Sequence, residues 1–184
     1  MARHHFLWTL GGVFLMNFQH LVLPLSFFQW CENSLVGHWI KYSKWDFAII
    51  ETFHIVGITV LLGSTLVVDL RLLGFGLRRL SPAQLAREMA PWTWAALAFM
   101  LVTGIPMFLS EAVRLSYNSA FFVKMILLPL ALVLHFTVHR RATSPGLQED
   151  STFGKLAAYL SLTSWLSVAL AGRAIAYVMT LNGG

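Results

Sequence analysis

Five apolar runs, each long enough to cross a bilayer, constrain this chain more than any other feature. A membrane helix needs about 20 mostly apolar residues, and such runs lie at 6–30, 45–68, 91–110, 120–138 and 153–179. Only 11% of the residues are charged and 57% are hydrophobic, where a soluble domain carries about 25% charge. That leaves too little polar surface to cover a core, so the solvent this chain suits is lipid. The expected fold is all-α: an integral membrane helical bundle of four up-down transmembrane helices over 32–184, preceded by an N-terminal transmembrane helix over 1–31. The first run opens with Arg3 and turns apolar as a signal peptide would. It lacks a small-residue cleavage site and is long for a signal's apolar core, which favours an uncleaved helix.

The connections are short. "CENSLVGHWIKYSK" joins the first two runs and is expected to hold an interfacial helix with Trp39 and Tyr42 at headgroup level. Ser81-Pro82, ahead of the third run, reads as an N-cap followed by Pro at the first helical position. A Pro-Gly turn signal lies between the last two. Arg71, Arg78, Arg79, Arg87, Arg140, Arg141 and Lys155 fall at one end of the bundle, against Lys41, Lys44 and Arg114 at the other. The positive-inside rule puts the arginine-rich end in the cytoplasm. With five helices, the N-terminus is then cytoplasmic and the C-terminus outside.

The net charge of +5 therefore reports membrane orientation. No basic stripe or stacking platform suggests nucleic acid. The single Cys31 forms no intrachain disulfide. No Gly-rich phosphate loop, nucleophile elbow or His-Glu-x-x-His is present, which disfavours a soluble-type hydrolase or nucleotide enzyme.

The chemistry must then reside in ionisable residues inside the apolar runs, which are costly in lipid and usually face a bundle interior, a cavity or a cofactor. Four stand out: Glu51, His54, Lys124 and Arg173. With a rise of about 1.5 Å per residue, His54 and Lys124 both fall roughly 5 to 8 Å to the outer side of their helix midpoints. They can share one layer. Arg173 and Glu51 fall slightly further out, where a Glu51–Arg173 ion pair would neutralise both. His20 fits the same layer. His135 lies about 16 Å from Lys124 along its helix, so His54 and His135 should not ligate one metal from opposite sides. His20 and His135 remain lesser metal candidates.

Each residue has a chemical and a structural reading. The His54 imidazole can ligate haem or copper, relay a proton, or simply hydrogen-bond. Lys124 can act as base, ligand or charge partner, or snorkel to the interface. Glu51 and Arg173 read best as a structural pair, although Arg173 could meet an anion. His135 with His139, Arg140 and Arg141 reads best as an interfacial basic cluster. Gly57, Gly63, Gly104 and Gly172 suit close helix approach. Pro106 and Pro129 are expected to kink their helices.

"ENS" at 32–34, "ETFHIVGITVLLGSTLVVDLRLLG" at 51–74, "PWTW" at 91–94, "TG" at 103–104, "NSAFFVKMILL" at 118–128 and "AGRAIAY" at 171–177 resemble a group of uncharacterised bacterial four-helix membrane proteins over about residues 27–178. That resemblance implies a multi-pass protein of the bacterial cytoplasmic membrane and is silent on activity. More distantly, His54, Gly63, Arg71-Leu72, Lys124 and His135 are similar to features of HemJ-type proteins, which bind haem b, and of the CopD-type copper-resistance domain. The "DLRLLG" ending and Glu51 depart from HemJ, and porphyrinogen oxidation is not implied.

Together these readings lead to an expectation of a membrane b-type haem protein that passes electrons. Its site would lie in the outer half of the bilayer, with His54 as axial ligand, Lys124 as second ligand or base, and Glu51 and Arg173 around them. One alternative is a cofactor-free small subunit or anchor of a larger membrane complex. The other is CopD-like copper transport or handling. Partners would be the bilayer, other membrane subunits or a redox partner.

Overall fold

The computed structural model describes residues 24–76, 79–144 and 151–182. The described residues form seven helices and no strand. They are α1 (Leu25–Glu32), α2 (Leu35–Tyr42), α3 (Asp46–Leu72), α4 (Pro82–Ser110), α5 (Ala112–Leu115), α6 (Ser119–Leu134) and α7 (Thr152–Asn182). α6 runs on through a π-helical turn, His135–His139, into Arg140–Ala142. Four helices are long and apolar enough to cross a membrane: Asp46–Leu72, Pro82–Ser110, Ser119–Ala142 and Thr152–Val178.

Local chemistry sets the helix ends. Ser34 starts α2 by accepting from the Gly37 amide at 3.2 Å, and Ser81 starts α4 by accepting from Gln84 at 3.2 Å. Each satisfies an amide that has no intrahelical partner. Ser81 and Pro82 thus behave as the sequence predicts, but the helix they start has no break before Pro91 and continues to Ser110. α3 stops at Gly74, whose φ of 87° lets its amide reach Arg71 O while Phe75 N reaches Leu70 O. That pairing is the Schellman cap, which favours glycine. Glu32 of the "ENS" stretch accepts from the Val113 amide at 2.8 Å and pairs with Lys41, tying α1 and α2 to the start of α5.

His54 meets Thr103 and Ser64 meets Thr93, so moving forward along α3 means moving back along α4. The Asp69–Ser161 contact joins α3 to α7, and Asn118–Ile175 joins α6 to α7. Small side chains let these helices close, since lipid supplies no hydrophobic drive between them. Ala96, Ala131, Ala157 and Ala158 are buried at the crossings, with Leu61, Val68, Leu72, Trp165 and Val168 filling between them. A third cluster of Phe28, Cys31 and Ala112 closes the end where α1 and α5 sit. Burial there pushes the Cys31 thiol up from its ordinary value, which keeps it a packing group.

One expectation finds no support and another is met. Within the described residues, the first apolar run enters α1, Leu25–Glu32, from an extended Pro24. An N-terminal transmembrane helix is not supported, since the described part of that run is this short helix, which packs at the bundle end. The rest of that run, with His20, lies outside the described residues. The short helix carrying Trp39 and Tyr42 is present as α2, and both rings are exposed.

Asn118 is the joint that sets α6 against α7. It is buried, caps α6 by accepting from Phe121 N at 3.2 Å, and donates from Nδ2 to Ile175 O at 3.0 Å. Asn118→Ala should cost about 2 kcal/mol, roughly 1 for the cap and 1 for the stranded carbonyl. Thermal unfolding in detergent would show it, and an unchanged midpoint would contradict the joint.

Candidate functional site

Two polar layers sit inside the bundle, one toward each end. The first is built on His54. Its Nδ1 lies 2.7 Å from Thr103 Oγ1, and that hydroxyl donates to Phe99 O at 2.8 Å. The threonine proton is already committed to its own helix, so Oγ1 accepts and His54 donates from Nδ1. With the threonine proton on Phe99 O, the contact assigns the imidazole the Nδ1–H tautomer, which leaves the lone pair on Nε2. Gly104 makes room for the ring: a Cβ there would lie 3.1 Å from His54 Cε1.

Lys124 enters the same layer from α6. Its Nζ would lie 3.6 Å from a Cβ added at Gly172 of α7, so the amine lies inside the bundle against that helix. The depth reading of the sequence therefore agrees with where these two residues fall. It does not extend to the expected ion pair. Glu51 is half-buried on α3, Arg173 is exposed on α7, and no ion pair joins them among the described residues. Depth fixes height and not azimuth: Arg173 follows Gly172, and about 100° of helical rotation carries it off the face that meets Lys124.

The second layer lies at the arginine-bearing end. Asp69 is fully buried. Ser161 donates to its Oδ2 at 2.8 Å, and His139 Nε2 lies 3.0 Å from its Oδ1. The ring is turned off a straight N–H···O line, so the two atoms face each other without an aligned hydrogen bond. His135 stacks on His139 with centroids 4.9 Å apart, and its edge meets Trp165 at 6.1 Å. The π turn spans these two histidines, and such turns often mark functional positions in helices. Ser64 and Thr93 join across α3 and α4 at 3.0 Å. A cavity of about 330 Å³ opens beside this layer between α3, α4 and α6, with Arg87 and Arg140 at its rim and Trp94 and Phe136 in its wall.

The sequence reading assigned His139 to an interfacial basic cluster. The structure corrects this: His139 is buried on Asp69, while Arg140 and Arg141 are exposed. The available signal was Asp69 itself. An acid inside an apolar run needs a partner, and His139 lies correspondingly close to the end of a helix running the same way.

Among the described residues no group of three His, Cys, Asp or Glu could hold a metal ion. His54 and His135 belong to different layers, and His20 lies outside the described residues, so a three-ligand metal centre finds no support.

This geometry defines a multi-pass helical membrane bundle with two buried polar layers. A profile described as a family of unknown function, DUF6644, matches residues 27–178. The chain belongs to that family. No curated protein and no solved structure matches it. Nothing in these comparisons links it to HemJ-type or CopD-type proteins.

Proposed function

We propose that this chain is a b-type haem protein of the bacterial cytoplasmic membrane that passes electrons, with His54 as the axial ligand. The tautomer of His54 carries the reading. Thr103 takes the Nδ1 proton, as carbonyl and carboxylate partners do for metal-bound imidazoles, and this orients the ring with Nε2 available. Gly104 and Gly172 let the imidazole and the amine pack against bare backbone, which fixes where both side chains sit. The donor set suits a haem better than a bare ion, because one imidazole and one amine are too few for a protein-only copper or zinc centre. A bound haem would supply one-electron chemistry. Lys124 would be a second ligand or a nearby cation, and Glu51 and Arg173 would act only through the field they set up. By the positive-inside rule the arginine-bearing end faces the cytoplasm, which puts His54 in the outer half.

Haem content after expression with ample haem tests this. A pyridine haemochrome yield near one per chain is expected, and a colourless, iron-free protein would overturn it. Thr103→Val keeps the side-chain shape and releases Nδ1. It should weaken haem retention by about 10 to 100-fold, the usual effect of losing an imidazole's outer partner. Titration of the purified apoprotein would measure this, and unchanged affinity would remove the tautomer argument.

A further inference from the structure

The cavity at the arginine-bearing end plays no part in the His54 layer, and the argument for it does not depend on haem. Its hydroxyls share one property. Thr65 donates to Leu61 O at 2.9 Å, Thr143 to His139 O at 3.1 Å, and Ser144 to Arg140 O at 3.0 Å. Ser64 and Thr93 have contacts of 3.0 and 3.2 Å to carbonyls of their own helices, as well as to each other. Serine and threonine carry a single proton each. These protons are committed within the protein, so what the hydroxyls offer the cavity is acceptor lone pairs.

His139 adds to this. Asp69 accepts from Ser161 and faces Nε2 at 3.0 Å, a separation at which two lone pairs would repel, so the imidazole proton belongs on Nε2. That leaves Nδ1 as an acceptor. No hydrogen bond to it is found among the described residues, and His139 lines the cavity. Trp94 and Phe136 stack at 5.1 Å in the wall, and Met89, Ala90 and Leu97 complete an apolar lining. Charged donors appear only on Arg87 and Arg140 at the rim, and His135, stacked on His139, adds one neutral imidazole to the lining. The deep part of this cavity is therefore wrong for an anion and right for an apolar aromatic that donates one hydrogen bond.

We propose that this cavity is a binding site for a neutral, lipid-soluble aromatic alcohol of the phenol or hydroquinone class, its ring lying against Trp94 and Phe136 and its O–H donating to His139 Nδ1. The Asp69 carboxylate serves the site by fixing the tautomer of His139, so Asp69 is a positioning residue.

The test is calorimetric titration of the full-length protein in detergent with three probes of similar shape: 4-ethylphenol, 1-ethyl-4-fluorobenzene and 4-ethylbenzoate. The phenol should bind about tenfold more tightly than the fluoro compound, the fold-change for one net hydrogen bond in an apolar site. Asp69→Asn, whose amide can donate to Nε2 and move the ring proton to Nδ1, should erase that preference while leaving the fluoro compound's affinity in place. Ala90→Leu, which narrows the cavity, should abolish binding of both neutral probes with the helical circular dichroism retained. Thr93→Val is a second, nearly isosteric variant and should leave the phenol preference in place, since the phenol's one proton goes to His139. Equal affinities for phenol and fluoro compound would overturn the proposal. So would tightest binding by the benzoate, which would make this an anion site at Arg87 and Arg140, and so would binding unaffected by Ala90→Leu, which would show partition into the micelle. None of these outcomes bears on haem at His54.

Discussion

Asp69→Ala should lower stability by about 2 to 6 kcal/mol, because Ser161 and His139 are each left as a buried polar group without its partner, at roughly 1 to 3 kcal/mol apiece. Asp69 is fully buried, and both of its oxygens are in use: Ser161 donates to one and His139 faces the other at 3.0 Å. Its removal strands an imidazole that is itself buried and has no other acid as a partner among the described residues. The change also opens a void at the junction of α3, α6 and α7, where Val68, Leu72, Ala157 and Ala158 pack. A pair of apolar replacements of similar size, Asp69→Leu with His139→Phe, should recover most of the loss, because exchanging a whole buried pair for packing is often neutral or better. Thermal unfolding in one detergent reads both variants. A double variant as damaged as the sum of the singles would show that Asp69 and His139 do not stabilise each other.

His54→Ala should remove haem binding outright and leave the bundle folded. His54 is half-buried, and its loss frees Thr103 Oγ1, which still donates to Phe99 O. Little structural cost is therefore expected, on the order of 1 kcal/mol for one hydrogen bond. The effect on the ligand should be all-or-none. The two predictions are opposite in kind: Asp69 is expected to matter for stability and His54 for content.

Much of the fold was legible in the sequence for a physical reason. In lipid, backbone groups must be satisfied within a segment, so apolar length alone reports the spans at 46–72, 82–110, 119–142 and 152–178 closely. The Ser81 cap was legible because the capping oxygen and the proline sit beside the helix they start. Of the first run the described part is only the short α1, and the rest lies outside the described residues, so the expected helix there has no support. In the polar layers, heights were readable and directions were not. His54 and Lys124 share a layer as their depths imply, whereas Glu51 and Arg173 share a height and point to different surroundings. Asp69 and His139 could have been paired by the same reasoning, but the arginines next to His139 gave it the look of a solvated cluster. The π turn that spans His135 and His139 leaves no signature in hydropathy.

The central claim is that His54 presents Nε2 to a haem, and the most direct measurement is a reduced-minus-oxidised visible spectrum of the detergent-purified protein beside His54→Ala and His135→Ala. The account predicts a b-type spectrum for the native protein, its loss in His54→Ala and its retention in His135→Ala. A spectrum that survives His54→Ala, or a native protein with no haem absorption after expression with ample haem, would contradict it.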